Sequence, residues 1–398
     1  TKMRLFIFLF LLVSPFLLSD AVSVQCGLRI GRESHHRLPR MIIGGSLVNE
    51  GVWPWQVSLQ KQNLSDGSLI WAGCGGTLIG SRWALTAAHC FMLPINREIE
   101  RNFSVLIGSA HASVEEDTDI VRAVRRVIRH PKYDNDFFLW DIALLELEDG
   151  LPMDPPLIPI CLPSTRQIIP IDVKAVVIGY GATYAPVGTM EEIRANLSTD
   201  KKLRQASLSL IPHQECYSHH GMQHKSLSLQ GLLLCAGDAK HNTYRGDSGG
   251  PIMMKAADGR WFQIGISSIG GYKTVGVLKT TTPPSTTETV KRDEGSGVHS
   301  SIEGSGESEN GTLALSSEHS EVEGIGASSV QRTEQETQKF DPKTHDYSAN
   351  PSEKFIYEKG ESSFTTVHKY CNWIEKTTKG EVKCPDEEMV FQEPPIYD

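Results

Sequence analysis

The chain has 398 residues, 39% of them hydrophobic, which suffices for one large core or two small ones. Its formal net charge is -9 and no basic stripe runs along it, so nucleic acid is excluded as an expected partner.

In chain order, Lys2 and Arg4 flank Met3 as a short basic region, and Leu5 to Leu18 follows as an apolar run. That run is short for a bilayer span and fits a signal-peptide core. Small residues at Ser19, Ala21 and Ser23 frame a cleavage site. Residues 1–21 are therefore read as a signal peptide, against the competing reading of a membrane anchor. The mature protein is expected to be secreted, extracellular and free of the membrane after cleavage.

Eight cysteines are spread along the chain and none forms a CxxC pair, so no metal site is expected, and no cofactor. An even count behind a signal peptide reads as disulfides. Asn63, Asn102, Asn196 and Asn310 head Asn-x-Ser/Thr sequons and are candidate glycan sites.

From about Ile42 onward, short apolar runs such as Trp55-Gln-Val-Ser-Leu59, Gly76-Thr-Leu-Ile79 and Ala175-Val-Val-Ile178 alternate with Gly, Pro, Asn and Asp. This texture predicts an all-β barrel or sandwich over 42–275. It changes at 276–359, a Ser, Thr, Glu and Gly-rich stretch with fifteen acidic and eight basic residues, which carries -7 of the net charge. Such a stretch buries little apolar surface and is expected to be a disordered insert. Order returns over 360–385, where Phe364 opens a strand running into a helix. Val367, Tyr370, Trp373 and Ile374 fall there at helical spacing. Residues 386–398 are a tail.

Three segments carry candidate chemistry. Gly246-Asp-Ser-Gly-Gly-Pro251 sets a serine among glycines, where the backbone can approach a substrate and aim N–H groups at a developing oxyanion. A lone serine is a weak nucleophile and needs a base. Leu85-Thr-Ala-Ala-His-Cys90 supplies His89, and Asp141-Ile-Ala-Leu-Leu-Glu-Leu147 supplies an acid. Taken singly, His89 also reads as a buried structural histidine and Asp141 as a strand cap.

Together with Ile42-Ile-Gly-Gly45, Trp53-Pro-Trp-Gln-Val-Ser-Leu59, Cys74-Gly-Gly-Thr-Leu78, Pro159-Ile-Cys-Leu-Pro163 and Gly179-Tyr-Gly181, these motifs resemble the chymotrypsin/trypsin (S1) family of secreted serine proteases. The resemblance covers Ile42 to about Gly271 and resumes from Phe364 to about Lys376. It implies two six-stranded antiparallel β-barrels with a C-terminal helix, the disordered insert lying in the second barrel. It also implies a serine endopeptidase made as a zymogen, working through an acyl-enzyme intermediate. His89, Asp141 and Ser248 would be catalytic, with Gly246 and Ser248 giving the oxyanion-hole N–H groups. Ser268 would support Asp141. The new N-terminus at Ile42, released from a propeptide at 22–41, would insert beside Asp247. The implied disulfides are Cys74–Cys90, Cys216–Cys235 and Cys26–Cys161, which leaves Cys371 and Cys384 to pair locally. Protein or peptide substrates, an activating protease and protein inhibitors are the implied partners of a monomer.

The sequence departs from that pattern at several points. Met41 stands between Arg40 and Ile42, so a cut after Arg40 leaves one residue too many. Asn242 replaces the pocket aspartate of trypsins, Thr243 and Arg245 flank it, Ser362 aligns with a pocket glycine, and Ile269, followed by Gly270, replaces a tryptophan. A small-to-medium apolar or polar P1 residue is expected instead of Arg or Lys. Tyr244 and Thr274, and Ala175 and Met254, stand where relatives have cysteine pairs. Ser109 removes the first ligand of the calcium-binding relatives. In the insert, Ser296 and Ser305 follow acids in Ser-Gly dipeptides and are candidate glycosaminoglycan sites. These departures keep open an alternative, a catalytically weak or inactive protease-like binding module or a glycan-bearing scaffold.

Overall fold

The computed structural model describes residues 26–29, 45–91, 100–153, 157–183, 199–212, 231–238, 241–270 and 360–397, and the backbone of 272–278 and 354–359. Strands dominate. β1 (Ser46–Leu47), β2 (Gln56–Gln62), β3 (Leu69–Gly80), β4 (Trp83–Thr86), β5 (Phe103–Ile107), β6 (Ile120–Arg129) and β7 (Ala143–Leu147) come first. β2–β7 close into a barrel in the order β2-β3-β4-β7-β6-β5. Val57, Leu59, Leu78, Leu85, Val105, Ile107 and Leu144 point into its core, none more than 3% exposed. Alternating β-branched and leucine side chains fill such a small interior without leaving a pore.

The second barrel uses β8 (Lys174–Gly179), β9 (Arg204–Ile211), β10 (Leu233–Ala236), β11 (Pro251–Ala256), β12 (Trp261–Ile269) and, after the hairpin strands β13 (Tyr272–Leu278) and β14 (Lys354–Lys359), β15 (Ser362–Thr366). β8 pairs with both β9 and β11 and so closes the ring β8-β9-β10-β15-β12-β11. The two barrels are those of the chymotrypsin fold. Ala175 and Met254, where relatives carry cysteines, meet in the apolar core of this barrel. Hydrophobic packing stands there in place of a covalent link.

A 3-10 turn at Val367–Tyr370 leads into α1 (Cys371–Thr377). Val367, Tyr370 and Ile374 are buried and Trp373 packs against the same cluster. The helix is pinned by Cys371–Cys384, while Cys26–Cys161 and Cys74–Cys90 tie residues 26–29 and the first barrel. Cys235 is disulfide-bonded as well, and Cys216 lies outside the described residues.

The expected disordered insert at 276–359 is corrected at its two ends, where β13 and β14 pair from Tyr272↔Lys359 out to Leu278↔Lys354; residues 279–353 lie outside the described residues. Val275, Val277, Phe355, Ile356 and Tyr357 have the β-branched and aromatic character that a two-stranded ladder favours. A composition average over 84 residues hides the nine strand positions at its two ends. The segment joins β12 to β15, which are neighbours in the second barrel.

Tryptophans seal the seam between the barrels. Trp53, Trp55 and Trp261 are at most 1% exposed, with ring centroids 5.6 Å and 5.0 Å apart around Trp53. Two of their N–H groups are satisfied across the seam, from Trp55 Nε1 to Met253 Sδ at 3.3 Å and from Trp53 Nε1 to Gln205 Oε1 at 2.9 Å. Thr77 Oγ1 donates to Gln263 Oε1 over the same line. The tail adds β16 (Phe391–Gln392) to the edge of β11 and lays Tyr397 against Trp53.

Candidate active site

The site is assembled on that seam. β4 ends at Thr86 and the chain turns through a 3-10 turn at Ala88–Phe91, which carries His89. The Cys74–Cys90 bond anchors the turn to β3. Asp141 precedes β7, the strand that pairs with β4, so the ladder Thr86↔Ala143 brings the two residues together. His89 N–H donates to Asp141 Oδ1 at 2.8 Å, and His89 Nδ1 lies 2.7 Å from Asp141 Oδ2. Ser268, from β12 of the other barrel, donates its Oγ–H to the same Oδ2 at 2.5 Å.

Asp141 is fully buried and the His89 side chain is 11% exposed. A carboxylate there must be satisfied by hydrogen bonds, and three donors supply them. They fix the imidazole with its proton on Nδ1, leaving Nε2 as the acceptor on the open side. Ser268→Ala removes one charge-assisted bond and is expected to lower kcat about tenfold. Peptide turnover checks this, and a loss of Tm with unaltered kcat would limit Ser268 to a structural role.

Ser248 is half-buried on a loop stitched to both barrels. Gly75 N–H donates to Ser248 O at 2.7 Å, and Gly249 N–H donates to Ser267 O at 2.8 Å. Gly246 has φ +102° and Gly249 φ +81°, the left-handed region that glycine tolerates without strain. A side chain at Gly246 would strike the Trp71 ring, 2.6 Å away.

Asp247 is buried directly beneath this loop. Its carboxylate accepts N–H bonds from Gly181 and Tyr244, both at 2.8 Å. A Cβ at Gly179 or Gly181 would overlap that carboxylate, which explains the Gly-Tyr-Gly motif. Burial pushes the Asp247 pKa up to about 6, opposed by those two bonds and by the nearby Arg204 charge. The folded pKa thus lies above the unfolded value, so the group stabilises the fold fully below about pH 4 and loses that stabilisation as pH rises through about 6. Asp247→Asn cannot ionise. In a Ser248→Ala background, the stability of Asp247→Asn relative to its parent is expected to improve by about 2–3 kcal/mol from about pH 4 to about pH 7.5. Urea unfolding at the two pH values measures this, and an unchanged difference would contradict it.

The residues expected to form the specificity pocket lie beside the same loop. Asn242 and Ser362 are at most 1% exposed and Thr243 is 2% exposed. Asn242 Nδ2 donates to Gly360 O, and Ser362 Oγ contacts Asn242 Oδ1. Thr243 Oγ1 donates to Ser362 Oγ at 2.7 Å. Gly270 abuts Thr243, where a Cβ would come within 3.2 Å of its carbonyl oxygen. Ile269 pairs with Ser363, and Arg245 is exposed. Asn242, Thr243 and Ser362 thus form a neutral, polar and internally paired group.

Ile42, Asn196, Ser296, Ser305 and Asn310 lie outside the described residues. Asn63 and Asn102 are partly exposed near the ends of β2 and β5. Cys74, His89 and Cys90 form a tight group, but the two sulfurs are bonded to each other and offer no thiolate to a metal.

Two residues of this neighbourhood escaped the sequence reading. Phe138 stands edge-on to His89, centroids 5.5 Å apart, and Phe138 and Trp140 hold φ values of 51° and 53°. Trp71 covers Gly246 and donates its indole N–H to Cys74 O at 3.1 Å. Aromatic residues three positions before Asp141 and before Cys74 were the available signal.

Comparison with known proteins gives a match to the family model described as Trypsin over residues 42–288. Transmembrane protease serine 9 of Rattus norvegicus is 32% identical over 254 residues, which are 63% of this chain and 21% of that protein. The chain thus spans about a fifth of that relative's length. Among the described residues no helix is long and apolar enough to cross a membrane.

Proposed function

The chain belongs to the trypsin family of serine proteases, and on that premise we propose that it is a secreted endopeptidase, made as a zymogen, that hydrolyses peptide bonds through Ser248. The observation that carries this reading is the buried Asp141 carboxylate, which takes bonds from His89 at 2.8 Å and 2.7 Å and from Ser268 at 2.5 Å. Nothing in barrel packing requires that arrangement, and burying the carboxylate costs stability.

His89 Nε2 takes the hydroxyl proton of Ser248 as Oγ bonds to the substrate carbonyl carbon. The resulting imidazolium is stabilised by Asp141. The backbone N–H groups of Gly246 and Ser248 donate to the oxyanion, each worth about 3 kcal/mol in the transition state. Collapse breaks the C–N bond, and the imidazolium returns its proton to the leaving amine. Water, deprotonated by His89, then cleaves the acyl ester and restores Ser248.

The neutral base of Asn242, Thr243 and Ser362 supports a P1 residue that is small to medium and uncharged, since an Arg or Lys would find no counter-charge there. Cys26–Cys161 supports retention of the leader segment after activation near Arg40 to Ile42, with the freed Ile42 amine inserting beside Asp247. The apolar run Leu5 to Leu18 supports export, while the rat relative is by name a transmembrane protease. A peptide-library cleavage profile of the activated protein tests this reading. Cleavage after small or medium uncharged residues is expected, and dominant cleavage after Arg or Lys would overturn the pocket assignment.

A further inference from the structure

Asp247 separates Gly246 and Ser248, so whatever steadies its carboxylate also steadies the two N–H groups assigned to the oxyanion. In the family pattern that cation is a freed N-terminal amine, which an uncut chain does not possess. The interior beside Asp247 holds another cation. Arg204 opens β9 and pairs across the ladder with Gly179, whose missing Cβ leaves the space that Asp247 occupies. Arg204 is 1% exposed, a degree of burial that a guanidinium reaches only with partners. One of its nitrogens, Nη2, meets the Asp200 carboxylate, which is itself 41% exposed. Its Nε and Nη1 have no hydrogen-bond partner among the described residues. The guanidinium therefore has two unsatisfied donors, and Arg204 is the ladder partner of the glycine against which the buried Asp247 carboxylate lies; the described partners of that carboxylate are backbone N–H groups, and the two side chains are not in direct contact in this structure.

We propose that Arg204 is the built-in counter-cation of Asp247, a positioning residue that holds the oxyanion loop in working form before the chain is cut. The zymogen would then be partly active as a single chain. A guanidinium bridging an exposed Asp200 and a buried Asp247 uses the donors that are otherwise unsatisfied, whereas a surface ion pair to Asp200 alone gives no reason for the side chain's burial. The proposal rests on the endopeptidase reading above for its catalytic consequence, but the pairing itself is testable without activity.

The full chain is made uncleavable with Arg40→Gln and Met41→Gln, and its integrity is checked on reducing gels. The rate of fluorophosphonate labelling of this chain is compared with that of the activated wild-type protein, each with Arg204, Arg204→Gln and Arg204→Lys. The uncut-to-cut ratio is expected to fall at least tenfold in Arg204→Gln and to stay within about threefold in Arg204→Lys, because the charge is kept. An equal ratio in all three, or equal losses in Gln and Lys, would overturn the proposal. Independently, a double-mutant cycle of Arg204→Gln with Asp247→Asn in the Ser248→Ala protein reads their coupling from urea unfolding. At least a tenfold coupling in the unfolding constant is expected, and additive effects would overturn the pairing even if labelling were never seen. Coupling without labelling of the cut chain would instead keep the pairing and remove the endopeptidase reading.

Discussion

Ser248→Ala is expected to lower kcat for peptide hydrolysis by about 10⁶-fold, with KM little altered. The serine oxygen forms the bond to substrate, and no neighbouring group on the loop replaces it. Its flanking residues Asp247 and Gly249 are fixed by backbone bonds to Tyr244 O and Ser267 O, so the loop should survive the loss of one hydroxyl. His89→Ala should cost about as much, and the double variant hardly more, because the two act as one unit. Asp141→Asn should lose about 10⁴-fold, since the amide leaves the imidazole in the wrong tautomer. Steady-state turnover of the activated proteins measures all four. Losses that multiply across Ser248→Ala and His89→Ala would contradict a shared step.

The second large effect is on folding. Gly249→Ala adds one methyl group where the backbone has φ +81° and where the new atom would fall on Thr86 Oγ1 and the Gly75 carbonyl oxygen. Thr86 cannot swing away freely, because its hydroxyl donates to Gly75 O at 2.7 Å. Backbone strain of about 1 kcal/mol and an unrelieved overlap of about 1–3 kcal/mol add up to about 2–4 kcal/mol. Gly259→Ala is the control. It has φ +91° with no atom within 4 Å of the added Cβ, so only the strain of about 1 kcal/mol should appear. Chemical denaturation of the two variants in the Ser248→Ala background should separate them by the overlap alone, about 1–3 kcal/mol. Equal destabilisation would mean that the loop yields more easily than its hydrogen bonds indicate.

The two barrels and the meeting of His89 with Asp141 were legible through the family resemblance that the motifs carry, since the strand texture alone left barrel and sandwich both open. A residue just before β7 and one just after β4 become neighbours once those strands pair, and the histidine, aspartate and serine segments carry their spacing in plain view. The β13–β14 stem was not legible, since its apolar residues sit at the two ends of a long polar span and pair only with each other. The tail was missed for a related reason. Phe391 and Tyr397 are scattered among acids and prolines with no period, yet β16 completes an edge of β11, and Tyr397 accepts a hydrogen bond at 2.8 Å from Arg29, whose guanidinium lies 4.2 Å from the Trp53 ring centroid. The left-handed backbone at Phe138 and Trp140 carries no glycine signal at all. No motif in the sequence marks Arg204, and only the closure of the second barrel reveals it as buried.

The central claim is that Ser248 is an activated nucleophile. Labelling the activated protein with a fluorophosphonate and locating the adduct by mass spectrometry tests it most directly. A single adduct on Ser248, abolished by His89→Ala, is the predicted result. An unlabelled Ser248 in folded, correctly cut protein would contradict the account.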